Sequence, residues 1–160
     1  MPCYLFTYHA YGSWMPNRER GYVRRDEGLV AQDAHMDRLY VESMKGDQIR
    51  LTAELQRVIA LSVVASQERQ RFVACYTATD ISHAHVLISW TDGRDAVKMR
   101  GLVKGSLSRA LNAAFRSQKW FSEGGSRKRV RTRSHFDYLL GTYLPSHRGV
   151  KWSRYTGFVT

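Results

Sequence analysis

The sequence predicts an α+β fold, in which one antiparallel sheet carries helices on one face and an extra helix follows at the C-terminal end. Segments where apolar residues alternate with other residues are typical of strands, and segments with apolar residues at three- and four-residue spacing are typical of helices. Breaks rich in Gly and Asp separate these segments. The chain has 160 residues, 43% of them hydrophobic, so we expect one domain spanning residues 1–160.

The first element is a strand, predicted over residues 3–14 ("CYLFTYHAYGSW") because aromatic residues alternate there with other side chains. We expect this strand at or near the centre of the sheet. Residues 15–46 are rich in Gly, Arg, Asp and Asn and predict a long loop or a helical insertion. Asp47 is the predicted N-cap of a first helix, in which apolar residues recur at helical spacing to about Arg69.

The rest of the chain continues the series of strands and helices. Residues 72–78 and 81–90 are predicted to pair as an antiparallel hairpin. "TDGRD" then opens a second helix, which has one apolar stripe and basic residues elsewhere on its surface. "RKRVRTR" predicts a last strand, and residues 136–146 predict a final helix. The order β-α-β-β-α-β-α is that of the split βαβ, or ferredoxin-like, fold.

Positive charge is concentrated in the second part of the chain. Residues 1–97 contain 11 basic and 12 acidic residues, whereas residues 98–160 contain 14 basic and two acidic residues. A positively charged surface attracts polyphosphates, because each phosphate that it neutralises releases counterions. The charge distribution therefore indicates a nucleic-acid partner, with a solvated basic face as the alternative.

The sequence gives no indication of secretion, a membrane partner or a disulfide framework. It has no signal-like start and no apolar run of membrane-spanning length, so we expect a cytoplasmic protein. Cys3 and Cys75 lie far apart and lack the CxxC spacing. We expect both thiols to be reduced and structural.

The stretch "DISHAHVLISW" places His83 and His85 inside an apolar strand. Side chains two residues apart on a strand point to the same face, so both imidazoles project together, away from Ala84, Val86 and Ile88. Two parallel imidazoles are half of a site for a divalent cation. The alternative is a pair of histidines on a solvent-facing strand surface.

A possible partner for this pair lies in "YLLGTYLPSHRG". Tyr143 and His147 are four residues apart, which places them on one face of a helix, so a phenol and a third imidazole could approach the pair. Pro145 lies between them and is expected to kink the helix or to leave His147 just beyond its end. The alternative is that Tyr143 packs its ring while His147 caps the last turn.

The chain resembles the HUH single-tyrosine transposases of the IS200/IS605 type. The features that carry the resemblance are the order of elements, the "SHAHVLIS" strand, the basic helix and the tyrosine on a C-terminal helix. It is most similar to the branch that includes the REP-associated tyrosine transposases. The segment "YHAYGSWMPNRERGYV" is similar to the opening of many members of that branch. The resemblance spans nearly the whole chain, although each motif is short.

The resemblance implies a role for each motif residue. His83 and His85 match the two motif histidines, and Tyr143 matches the nucleophile. His147 stands where members commonly have a Gln or Asn that helps to bind the metal. The chain departs from the pattern at Ala84, which is smaller than usual, and at Ser82, where Asp or Asn often stands.

The implied activity is transposition of single-stranded or hairpin DNA through a covalent enzyme. Mg²⁺ or Mn²⁺, held by His83, His85 and His147, would polarise a phosphodiester for attack by Tyr143, giving a 5′-phosphotyrosine and a free 3′-OH. Another 3′-OH could then rejoin the strand. The site could be assembled within one chain or across a homodimer, and the protein would be associated with the bacterial nucleoid when bound to DNA. Tyr138 is the rival nucleophile on the same helix.

Phosphate contacts are expected from the basic half of the chain, and base stacking from Trp120, Phe121 and Trp152, with a core position as the alternative for these aromatic residues. The cations of the second helix and last strand predicted to bind DNA are Lys98, Arg100, Lys104, Arg109, Arg127, Lys128, Arg129, Arg131 and Arg133. Two other functions stay open. One is a non-catalytic, domesticated DNA- or RNA-binding relative on the same scaffold, and the other is a metallohydrolase with three histidines, which would also suit zinc.

Overall fold

The computed structural model describes residues 1–13, 22–24, 28–30 and 48–159. The strands are β1 (Cys3–His9), β2 (Tyr22–Arg24), β3 (Gly28–Val30), β4 (Val73–Thr79), β5 (His83–Ser89), β6 (Arg127–Arg129), β7 (Lys151–Ser153) and β8 (Gly157–Val159). The helices are α1 (Ala53–Gln70), α2 (Ala96–Ala114) and α3 (Arg133–Tyr138). A π-helical turn (Leu139–Tyr143) and a 3₁₀ turn (Leu144–Ser146) continue α3, and we call the three together the C-terminal helix.

Six strands form one antiparallel sheet in the order β6-β1-β5-β4-β7-β8. Four neighbouring strands of this sheet, β6, β1, β5 and β4, are arranged as in the split βαβ fold, which confirms the predicted fold class. The first strand was expected at or near the centre of the sheet, and β1 lies inside it, between β6 and β5 and one strand in from the edge. The sequence did not predict β7 and β8, because three-residue strands after a helix leave almost no periodic pattern.

The insertion predicted over residues 15–46 falls largely outside the described residues, as do Trp14 and Asp47. Within it the structure describes one antiparallel pair, β2 with β3. The sequence did not predict this pair. Each of its strands is only three residues long, so no alternation is long enough to indicate a strand.

The start of α1 differs from the prediction. The N-cap is Thr52, whose hydroxyl accepts a hydrogen bond from the backbone N–H of Leu55, so the helix begins at Ala53 and not directly after Asp47. It ends at Gln70, and the C-cap is Arg71, whose backbone is left-handed (φ 55°) and whose N–H donates to carbonyls of the last turn. The apolar stripe predicted for this helix is buried at Leu55, Ile59 and Val63.

The second helix follows the prediction closely. Asp95 is its N-cap and accepts from the backbone N–H of Lys98. Met99, Val103 and other members of the predicted stripe are fully buried, and Ala114 at the helix end is exposed. Helices α1 and α2 pack side by side on one face of the sheet.

The two faces of the sheet carry separate cores. On the face of α1 and α2, the sheet contributes Phe6, Tyr8, Ala84, Val86 and Ile88. On the other face, the C-terminal helix packs Leu139 and Leu144 on a second set of buried residues, Leu5, Cys75, Tyr76, Ala78 and Leu87. The extra helix therefore lies opposite the first two and covers the face to which His83 and His85 point.

Both cysteines are free thiols, as the sequence predicts. Burial, and then the nearby Cys75, raise the pKa of Cys3 to about 12. In the part of the chain that the structure describes, no helix combines the length and the apolar character that crossing a bilayer requires.

Candidate metal and tyrosine site

Three imidazoles meet on the face that the C-terminal helix covers. His83 and His85 project together from β5, as the period-two argument predicts, and His147 follows the 3₁₀ turn. One ring nitrogen from each lies within 4.8 Å of the others. Ring centroids are 4.7 Å apart for His83 and His85 and 4.6 Å apart for His85 and His147. This cluster could hold a metal ion, and all its ligands come from one chain.

Each of the three rings has a protein partner at its Nδ1 atom. His85 Nδ1 lies 2.8 Å from the Thr7 hydroxyl, and His83 Nδ1 lies 2.9 Å from the Ser82 hydroxyl. His147 Nδ1 lies 3.1 Å and 3.2 Å from the carbonyls of Tyr143 and Leu144, to which it can only donate. Partners of this kind fix ring orientation and tautomer in metal sites. Nε2 is therefore the nitrogen that would ligate a cation.

His85 is the most deeply placed of the three, with 5% of its surface exposed. Burial is the largest effect on its pKa, and the adjacent imidazoles add to it, so that the pKa of His85 is lowered to about 3. The ring is therefore neutral at physiological pH and keeps a lone pair for a metal.

Tyr143 lies against this cluster. Its hydroxyl is 3.3 Å from His85 Nε2, and its ring centroid is 5.1 Å from that of His147. Burial, and then Tyr138, raise the pKa of Tyr143, so the phenol is protonated at neutral pH in the metal-free protein. Since Tyr143 and a metal would use the same nitrogen of His85, a cation bound there would replace the hydrogen bond to the phenol.

The backbone before His147 is not a regular α-helix. The π-helical turn ends at Tyr143, and Pro145 sits at the start of the 3₁₀ turn, where proline is tolerated. His147 follows in extended conformation (φ −68°, ψ 144°), just beyond the helix end. Phenol and imidazole still reach the same cluster, although the regular i, i+4 geometry is absent.

A polar clamp, which the sequence did not reveal, fixes the chain after His147. Gln56 on α1 is 5% exposed, and its side-chain oxygen accepts from the Val150 N–H (2.9 Å) and the Thr79 hydroxyl (3.1 Å). The Gly149 N–H donates to the Thr79 carbonyl at 2.9 Å. The side-chain amine of Lys151 on β7 also donates a hydrogen bond to the His147 carbonyl at 2.6 Å. A buried Gln inside an apolar helix stripe was the one signal in the sequence for this clamp.

The cations predicted on α2 fall into two groups. Lys98 and Arg109 are exposed. Arg100 donates to the Gly125 carbonyl at 2.6 Å, and Lys104 donates to the Ser122 carbonyl at 2.8 Å. These two residues are half-buried and tie α2 to the loop before β6, so they already have a structural role.

The predicted cations of the last strand are exposed. Arg127, Lys128 and Arg129 form β6, the edge strand of the sheet, and together with Arg131 they line a cleft of about 480 Å³ beside Tyr4 and Ala96. Because directly paired residues share a face, Arg127 and Arg129 lie on the α1 and α2 side, while Lys128 lies on the Tyr143 side. Arg133 is also exposed and pairs with Asp137 at 2.9 Å.

The stacking role predicted for Trp120 needs correction. Trp120 is 4% exposed, and its indole N–H donates to the Asn112 side chain at 2.8 Å. Phe121 is 2% exposed, and Trp152 packs against the same core. The rings of Trp120 and Phe121 are therefore core residues that present no open face to a base, and Trp152 is partly buried.

Comparison with solved structures finds a similar fold in a REP-associated tyrosine transposase bound to a REP hairpin. The TM-score is 0.51 at 10% identity, over 86% of this chain and 61% of that chain. The chain shares the fold of this transposase. At that identity the likeness concerns the fold alone, and the chain spans only about three fifths of its neighbour. No family model matches the sequence, and no curated protein matches it.

Proposed function

We propose that this chain is a metal-dependent transposase or endonuclease, which cleaves and rejoins single-stranded or hairpin DNA through a 5′-phosphotyrosine on Tyr143. The observation that carries the proposal is the approach of the Tyr143 hydroxyl, 3.3 Å from His85 Nε2, to a three-histidine cluster. A nucleophile beside a metal-binding cluster is the arrangement that phosphoryl transfer to a protein side chain requires.

The cluster suits a divalent cation held by His83, His85 and His147. The low pKa of His85 keeps the ring deprotonated, and the partners at the three Nδ1 atoms orient the rings. Three imidazole nitrogens favour a transition ion such as Mn²⁺ over Mg²⁺, which prefers oxygen ligands. A bound cation would supply Lewis-acid polarisation of the phosphate oxygens.

In the proposed reaction, the phenol oxygen of Tyr143 bonds to phosphorus as the bond from phosphorus to the 3′ oxygen breaks. The phenol proton leaves to solvent, and the 3′ oxygen takes up a proton to become a hydroxyl. One phosphate ester replaces another, so a 3′-OH can run the step in reverse without ATP. This exchange distinguishes strand transfer from hydrolysis by a three-histidine metallohydrolase.

Exposed cations of the basic half would bind the DNA backbone. The cations on the β6 edge lie on both faces of the sheet. A DNA strand that runs from the cleft at Arg127 and Arg129 to Tyr143 would therefore cross this edge. Backbone contacts of this kind position a nucleic acid without reading its sequence.

The proposal is tested by trapping the covalent intermediate. The protein is incubated with Mn²⁺ and a labelled library of DNA hairpins with randomised single-stranded flanks, then separated by SDS electrophoresis. We expect a labelled adduct that EDTA, Tyr143→Phe and His83→Ala each abolish. Tyr155→Phe is a matched control, because Tyr155 is 67% exposed in the turn between β7 and β8. Salt-dependent binding without any adduct would instead support the non-catalytic alternative.

A further inference from the structure

Tyr138 is an exposed aromatic residue beside the proposed nucleophile. The residue is 52% exposed, although it lies on a helix whose other large apolar residues face the sheet. The ring is nearly parallel to that of Tyr143, with an interplanar angle of 25° and centroids 6.4 Å apart. Tyr138 thus lies beside Tyr143, and about half of the residue's surface is exposed to solvent.

The π-helical turn brings these two rings together. In a regular α-helix, residues five apart point about 140° away from each other. Here the backbone N–H of Leu144 bonds to the carbonyl of Leu139, five residues earlier, and this wider turn places Tyr138 and Tyr143 on one side. Single π-helical turns are uncommon and often occur at functional sites.

We infer that Tyr138 is a base-binding residue, which stacks on the unpaired base next to the phosphate that Tyr143 attacks. This inference rests on the proposed function and adds a nucleotide-positioning contact to it. Exposed aromatic rings bind unpaired bases through their π faces and tolerate any base. The base of a nucleotide whose phosphate reaches the Tyr143 hydroxyl is within reach of the Tyr138 ring, because the two rings are neighbours.

The inference is tested by measuring DNA binding in the Tyr143→Phe protein with Mn²⁺, using the tightest-binding hairpin of the library. An abasic nucleotide is moved through the single-stranded flanks one position at a time. We expect one position at which loss of the base weakens binding by about tenfold or more. Adding Tyr138→Ala should weaken binding of the intact hairpin by a similar factor and remove the sensitivity at that position.

Two further variants separate stacking from a structural effect. Tyr138→Phe keeps the ring and should retain both the affinity and the abasic sensitivity. Tyr155→Ala removes an even more exposed tyrosine elsewhere (67% against 52%) and should leave both unchanged. An abasic effect that persists in full in Tyr138→Ala overturns the inference.

The outcome for Tyr138 can be distinguished from that of the proposed catalysis. Adduct formation with wild-type protein, together with an abasic effect independent of Tyr138, overturns this inference alone. A Tyr138-dependent abasic effect without any adduct overturns the catalytic proposal and leaves Tyr138 as a base-binding residue. No binding to any hairpin overturns both.

Discussion

Gly149→Ala is expected to weaken the proposed metal site without changing any of the three histidines. Gly149 lies two residues after His147, inside the clamp formed by Gln56 and Thr79. A Cβ atom at this position would overlap the Thr79 carbonyl oxygen and the Gln56 side-chain oxygen, and would lie 2.7 Å from the Thr79 carbonyl carbon. Two of these atoms belong to the backbone of β4, so the 149–150 segment must move away.

The magnitude follows from the bonds that this movement breaks. The Gly149 N–H to Thr79 bond and the Val150 N–H to Gln56 bond are both 2.9 Å long. Each buried polar group that loses its partner costs about 1–3 kcal/mol, so losing both bonds should lower the free energy of unfolding by roughly 2–6 kcal/mol. Displacing His147 should reduce Mn²⁺ affinity by about 10- to 100-fold, the usual effect of disturbing groups that orient ligands.

Urea unfolding of the metal-free protein and calorimetric titration with Mn²⁺ measure these two effects. Gly141→Ala is the matched control, because it lies on the C-terminal helix near Tyr143 and its added Cβ meets nothing within 4 Å. We expect this control to keep Mn²⁺ affinity and to change stability by no more than about 1 kcal/mol. Wild-type stability and Mn²⁺ affinity in Gly149→Ala would refute the positioning role of the clamp.

Three other predictions test the site and its surroundings. The pKa of His85 is about 3 in the folded metal-free protein and near 6.5 when unfolded, so the unfolded state binds the extra proton between these values. Stability in EDTA should therefore fall by up to about 1.4 kcal/mol per pH unit below pH 6.5, and His85→Asn should remove that slope in urea titrations at several pH values. Thr7→Val removes the hydroxyl partner of His85 Nδ1 and should lower Mn²⁺ affinity by about tenfold in calorimetry, and an unchanged affinity would argue against an orienting role. Arg129→Glu on the exposed β6 edge should weaken DNA binding and reduce its salt dependence in fluorescence anisotropy, while the same charge reversal at the remote Arg57 should do neither.

The sequence predicted the fold and the histidine pair because both depend on short-range periodicity. Alternation along β1 and β5 determines which side chains enter the core, and it places His83 and His85 together on the opposite face. The apolar stripe predicted for α2 is also buried in the structure almost as predicted. Such patterns are strong because one face of each element is buried.

Tertiary contacts decided what the sequence could not predict. The burial of Trp120 depends on Asn112, which satisfies its indole N–H from eight residues away. The placement of Tyr143 and His147 depends on a π-helical turn that ends at Tyr143 and on the 3₁₀ turn that follows it, which no hydrophobic period indicates. The clamp at Gln56 joins residues more than ninety positions apart and forms only when β7 pairs with β4.

The most direct test of the account is to locate the covalent bond between protein and DNA. After incubation with Mn²⁺ and a reactive hairpin, nuclease and trypsin digestion should release the peptide between Arg133 and Arg148, which contains both Tyr138 and Tyr143. Tandem mass spectrometry should find a nucleotide bonded through its 5′ phosphate to Tyr143. A nucleotide on Tyr138 or elsewhere, or cleaved DNA with no modified peptide, would contradict the assignment of Tyr143 as the nucleophile.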